Sequence, residues 1–124
     1  MQVTEKLTKA LTEAKYLNAD NVGRYRCIMR IFFENYEKLR YWLYQEEVYA
    51  QMVQDPFFAE YKLEQCQQDL AMLVEWKNLN TIQDTRKVSS IEEFKNKKFR
   101  YQMSEYSVEI ERLVLRLENL FIEG

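Results

Sequence analysis

The 124-residue chain contains no histidine, two cysteines, two glycines and one proline. Without histidine, the commonest general base and the commonest metal ligand are both missing. Cys27 and Cys66 have no zinc-ligand spacing, and each falls inside a helical pattern, which fits reduced, buried thiols better than a disulfide or a metal pair. No glycine-rich loop exists to cradle a phosphate. The adjacent carboxylates Glu46-Glu47 and Glu92-Glu93 would point apart on a helix and read as solvated surface. These gaps argue against an enzyme, and no cofactor or metal is expected. Few glycines and prolines also mean few turns, so the fold should be mostly helical. No apolar run approaches the roughly 20 residues of a membrane span, and the N-terminus lacks the apolar core of a signal peptide. A cytoplasmic protein without membrane contact is expected.

What is present is apolar and aromatic. A composition of 47% hydrophobic and 15% aromatic residues is too rich for disorder, and the length suits one core rather than two. Residues 1–20 carry only a weak helical stripe (Val3, Leu7, Ala10 or Leu11, Ala14, Leu17) interrupted by three threonines, and read as an arm that orders when it docks on something. Asn18 and Asp20 are both acceptable N-caps for the next helix. Residues 21–124 read as one domain. Its first helix runs from about Asn21 to Leu39, with Val22, Tyr25, Met29, Phe32, Tyr36 and Leu39 on a heptad stripe that Ile28, Ile31 and Phe33 widen. Either this is the central core helix, or its far side faces a second subunit. The final helix, Glu105 to about Ile122, carries the same excess: Tyr106, Ile110, Leu113, Leu117 and Leu120 form one stripe, and Val108, Val114, Leu115, Phe121 and Ile122 a second side. That repetition favours the second subunit. The predicted dimer face comprises Tyr25, Met29, Phe33, Tyr36, Leu113, Leu117, Leu120 and Phe121. The chain ends while still hydrophobic, as an N-terminal piece of a longer protein would.

Between those helices the periodicity changes. Arg40–Tyr44 is short, aromatic and β-prone, and Glu46–Gln54 is helical. Asp55-Pro56 caps a short turn over Pro56–Glu60. Lys62–Trp76 places Leu63, Cys66, Leu70, Leu73 and Val74 on one helix face, although Lys62 stands where Ser, Thr or Asp would be expected as a cap. Leu79–Asp84 is β-like, Thr85–Lys98 is a charged loop with a capping box at Ser90 and apolar Ile91 and Phe94, and Phe99–Met103 alternates strictly. This order predicts a mainly α fold with a small β-wing: a winged helix-turn-helix domain with an extended N-terminal arm and a long C-terminal helix.

DNA binding is the usual expectation for such a fold. Lys62–Lys77, the position of a recognition helix, has two lysines against Glu64, Asp69 and Glu75, a net of −1. A helix entering a major groove normally brings cations to the phosphates. Gln65, Gln67 and Gln68 could read adenine edges, or simply form a solvated face. The wing differs: over Thr85–Arg100, Arg86, Lys87, Lys95, Lys97, Lys98 and Arg100 oppose Glu92 and Glu93, a net of +4 in a chain of net −2. Arg86, Lys87, Lys95, Lys97 and Lys98 are candidates for a weak, non-specific DNA-backbone contact, with a solubilising loop as the plainer alternative.

Several runs also carry a resemblance. Residues 15–21 (KYLNADN) with Arg24-Tyr25-Arg26, Leu39-Arg40-Tyr41-Trp42-Leu43-Tyr44, Gln67-Gln68-Asp69-Leu70 and Leu73-Val74-Glu75-Trp76 are similar to the JetA subunit family of type II Wadjet systems. So are Gln83-Asp84-Thr85, Ile91-Glu92-Glu93-Phe94, Phe99-Arg100-Tyr101-Gln102 and Val108-Glu109-Ile110-Glu111, in that order. The resemblance implies a MukF-like kleisin that works with a MukE-like subunit, an SMC ATPase and a topoisomerase-VI-related nuclease in a DNA-loop-extruding, plasmid-restricting machine. In such kleisins the N-terminal winged-helix region dimerises, and a following helical region docks on an SMC neck. The expectation is therefore a homodimerising assembly domain of an anti-plasmid defence complex. The competing reading is a dimeric winged-helix transcription regulator.

Overall fold

The computed structural model describes residues 1–83 and 99–123, with the side chains of Gln83 and of residues 121–123 outside that description. The elements are α1 (Glu5–Thr8), a 3-10 turn (Thr12–Leu17), α2 (Val22–Glu37), β1 (Leu43–Tyr44), α3 (Gln45–Val53), a second 3-10 turn (Pro56–Phe58), α4 (Leu63–Glu75), β2 (Leu79–Gln83), β3 (Phe99–Met103) and α5 (Glu105–Glu123). The fold is mainly helical with one small antiparallel sheet in the order β1-β3-β2. Leu43 pairs with Tyr101, and five successive pairs run from Leu79–Met103 to Gln83–Phe99. Among the described residues, no helix is long and apolar enough to cross a membrane.

Helix α2 is the centre of the molecule. Tyr25, Ile28, Met29, Phe32 and Phe33 are all buried, so it is apolar on more than one face because several elements surround it. It packs against the first 3-10 turn, α3, α4, β3 and α5. Leu43, Val48, Met52, Cys66, Leu70, Leu73, Leu79 and Met103 complete the core. The strand expected over Arg40–Tyr44 shrinks to two residues because α2 does not stop cleanly into extended chain. Leu39 turns left-handed (φ 66), and the Arg40 and Leu39 amides donate back to the carbonyls of Asn35 and Tyr36. That double bond is the Schellman closure, normally built on glycine. Helix α4 ends the same way on Lys77 (φ 64), with the Asn78 and Lys77 amides donating to Leu73 and Val74. A glycine-poor chain here makes its reversals with leucine and lysine.

The starts of the helices show local chemistry too. Ser104 caps α5 by accepting from the Ser107 amide (3.3 Å), as the sequence suggests. The Gln65 side chain accepts from the Lys62 amide (2.9 Å), the reciprocal half of a capping box. Neither Asn18 nor Asp20 caps α2: its N-cap is Asn21, left-handed at φ 60 and without a side-chain cap bond. Residues 12–17 do dock, but on their own chain, where Tyr16 is fully buried against α2 and α5. The capping box at Ser90 with Ile91 and Phe94 lies outside the described residues.

Candidate assembly surface

Among the described residues, helix α5 has two apolar faces and only one is served by neighbours. Ser107, Val108, Glu111 and Val114 point inward and are buried. Tyr106 (46%), Leu113 (51%), Leu117 (51%) and Leu120 (62%) remain exposed, with Ile110 half-buried among them. These positions are spaced four, three, four and three residues apart, the a/d repeat of a coiled-coil seam. Beside them runs an open groove of about 650 Å³, bounded by Tyr36 and Tyr41 on one side and Met103, Tyr106 and Val108 on the other. A second hollow of about 550 Å³ continues along the same helix past Leu113 and Arg116.

The predicted dimer residues divide on this geometry. Tyr25, Met29 and Phe33 are buried in the chain's own core, Tyr25 edge-on to Trp76 at 5.0 Å, so they are not surface for a second copy. The reason is that α2 is enclosed by the fold itself. Tyr36 is half-buried beside Tyr41, with ring centroids 5.2 Å apart at the groove edge. Leu113, Leu117 and Leu120 stand on the open stripe. The Phe121 side chain lies outside the described residues.

A charged network fixes how α5 sits. Tyr16 donates its hydroxyl to Glu111 (2.5 Å), whose carboxylate is 1% exposed. Arg30 of α2 donates to Glu111 (3.3 Å) and also pairs with Glu118, and Arg26 reaches Glu118 at 3.2 Å. A second cluster ties α2 to α4: Arg24 grips Asp69 through two bonds of 2.9 Å, and the Tyr61 hydroxyl donates to the same carboxylate at 2.7 Å. Burial beside a carboxylate pushes the Tyr16 and Tyr61 hydroxyls far above the ordinary phenol value. The hydrogen bond from Arg30 holds the Glu118 carboxyl below its ordinary range. Sequence reasoning placed Asp69 among the outward acids of α4 and passed over Glu111 and Tyr16. The available signal was positional: Asp69 falls among Cys66, Leu70 and Leu73, and Glu111 between Val108 and Val114, each a carboxylate inside an apolar stripe.

The candidate DNA-backbone residues Arg86, Lys87, Lys95, Lys97 and Lys98 all lie outside the described residues. Arg100, the last cation of that count, is half-buried with its guanidinium 5.4 Å from the Trp42 ring centroid. With Asp69 turned inward, the exposed charges of α4 and its ends are Lys62 and Lys77 against Glu64 and Glu75. That face has no cationic excess, and Gln67 and Gln68 are exposed on it while Gln65 is occupied at the cap.

The fold and surface define a mainly helical domain with a three-stranded antiparallel sheet and an unpartnered apolar helix face. The chain belongs to the family described as "Protein of unknown function (DUF2397)", whose model matches residues 14–124. No curated protein matches the chain, and no solved structure does.

Proposed function

We propose that this chain is a winged-helix assembly module that self-associates through α5, the N-terminal domain of a JetA-type, MukF-like kleisin, and not an enzyme. The winged-helix reading rests on the order α2-β1-α3-α4-β2-β3, with β1 joining the β2–β3 hairpin at the β3 edge. The observation that carries self-association is the a/d stripe of α5, in which Tyr106, Leu113, Leu117 and Leu120 are left facing outward by a helix whose other face fills the core. The JetA resemblance runs through the span matched by the family model, which is consistent with both. In the assembled complex its partners would be an SMC ATPase and a MukE-like subunit, with plasmid restriction as the output.

The uncharged balance of α4 speaks for protein assembly over sequence-specific DNA recognition, since a groove-reading helix gains most of its affinity from phosphate neutralisation. Sedimentation equilibrium tests the reading directly. The wild-type chain should dimerise at micromolar concentration, and Leu117→Asp should be monomeric, because a two-fold interface feels each substitution twice. A monomer at high micromolar concentration removes the reading. Base-specific protection of a palindromic site, lost on replacing Gln67 and Gln68 with alanine, would instead establish the transcription regulator.

A further inference from the structure

The α5 stripe alone is small for a stable dimer. Standard interfaces bury about 800 Å² per partner over some 20–30 residues a side, and four half-exposed side chains on one helix fall well short of that. A second apolar surface lies next to it. Val3 (67%), Leu7 (57%) and Leu11 (54%) repeat every four residues along the N-terminal arm, and each stays more than half exposed among the described residues. An isolated four-residue helix such as α1 has no stability of its own in water.

The arm is placed beside the stripe by two attachments. Its Lys9 ammonium lies 5.5 Å from the centre of the Tyr106 ring, where the stripe begins. A few residues on, Tyr16 is locked into the Glu111 carboxylate on the inner side of the same helix. Charge suits a contact between copies: Lys6 and Lys9 are exposed on the arm, and the first turn of α5 carries the exposed carboxylate of Glu105. The exposed apolar residues of the arm and of α5 thus make up one candidate strip, joined where Lys9 meets Tyr106.

We infer that Val3, Leu7 and Leu11 are the second half of the self-association surface, and that a second copy of this chain, presenting the same strip about a two-fold axis, is what covers them. This rests on self-association through α5 and adds the arm to it. A self-complementary strip suits an isologous contact, in which the cationic arm of one copy meets the acidic first turn of the other's α5.

The test measures dimer dissociation constants by sedimentation equilibrium for the wild-type chain, the double variant Leu7→Ser/Leu11→Ser, and Leu117→Asp. Both leucines of the arm are outside the core, so the double variant should keep the wild-type circular dichroism and, at a dilution where both are monomeric, the wild-type thermal midpoint. Its dissociation constant should rise at least tenfold. A change below twofold, with Leu117→Asp still monomeric, overturns the role of the arm and leaves α5 self-association standing. A monomeric wild type overturns both. If the double variant fails to fold, Leu7→Ala alone is held to the same criterion with a threefold rise expected.

Discussion

Helices α2 and α5 carry the same kind of sequence, a heptad stripe widened by extra apolar residues, and the fold treats them differently. In α2 the middle of the stripe and most of its extras are enclosed: Tyr25, Ile28, Met29, Phe32 and Phe33 are all buried by elements arriving from several sides, and only Leu39 at the helix end is largely exposed. In α5 Val108 and Val114 are enclosed, whereas Tyr106, Leu113, Leu117 and Leu120 of the stripe face out. Apolar excess therefore does not by itself mark an interface. What separates the two is the number of neighbours. Helix α2 is flanked by the first 3-10 turn, three helices and β3, whereas α5 rests mainly on α2 and that same turn. The polar residues agree. Arg24 of α2 pairs with Asp69 on α4, and Arg26 and Arg30 share Glu118 on α5, while among the described residues the outward Arg112 of α5 pairs only with Glu109 of its own helix.

The contrast is broken most directly by truncation. Phe33→Ala in α2 should cost about 3–5 kcal/mol of folding free energy, and Leu117→Ala in α5 less than about 0.5 kcal/mol, as for other exposed side chains. Urea unfolding at low protein concentration, where dimerisation contributes nothing, separates the two. Comparable losses would mean that the α5 stripe is packed after all. A step smaller, Asp69→Ala should cost about 2–3 kcal/mol, because it strands the Arg24 guanidinium and the Tyr61 hydroxyl against a buried site. Double-mutant cycles with Arg24→Ala should show coupling, and strict additivity would remove the pair from the account.

Proton linkage sharpens the same comparison. Tyr16 and Tyr61 have folded-state values raised above the ordinary phenol, so their contribution is complete below about pH 10 and is lost as the pH rises beyond it. Chemical denaturation should therefore show stability falling above pH 10, with the slope reduced in Tyr16→Phe. The Glu118 carboxyl, lowered by Arg30, behaves oppositely: its contribution is present above the ordinary carboxylate range and lost as the pH drops below it. Since Glu118 is 38% exposed, solvent screening keeps that acid limb shallow. The smallest expected effect is at the helix ends. Lys77→Gly should raise stability by roughly 0.5–1 kcal/mol by relieving the left-handed backbone, and a thermal midpoint lower than wild type would contradict the strain assigned there.

Much of the architecture was legible in the chain because periodicity is a local property. The alternation of Phe99–Met103 marks β3 to the residue, and the helical stripes place α2, α4 and α5 within two residues of their ends. The docking of Tyr16 was not legible, since its partner Glu111 lies 95 positions away and nothing local announces it. The same holds for Asp69, which local spacing sets inside the apolar stripe but whose inward turn depends on Arg24 of another helix. For the candidate surface, Leu113, Leu117 and Leu120 were readable as an outward stripe, whereas Tyr25, Met29 and Phe33 could be assigned to the core only once the neighbours of α2 were known.

Asn78 has a consequence for how this fold tolerates change. Its amide nitrogen donates to Leu73, its carbonyl accepts from Ser104, and its side chain donates to the Glu13 carbonyl (2.8 Å) and the Ser107 hydroxyl (2.9 Å). One buried residue thus clasps the two feet of the β2–β3 hairpin together and binds them to both the 3-10 turn and α5. The β2–β3 pair is therefore closed at the end where β2 begins and β3 leaves. For such a closed loop, each doubling of the connecting segment adds only about 0.6 kcal/mol. A change in the length of the segment joining β2 to β3 therefore costs the domain little in chain entropy.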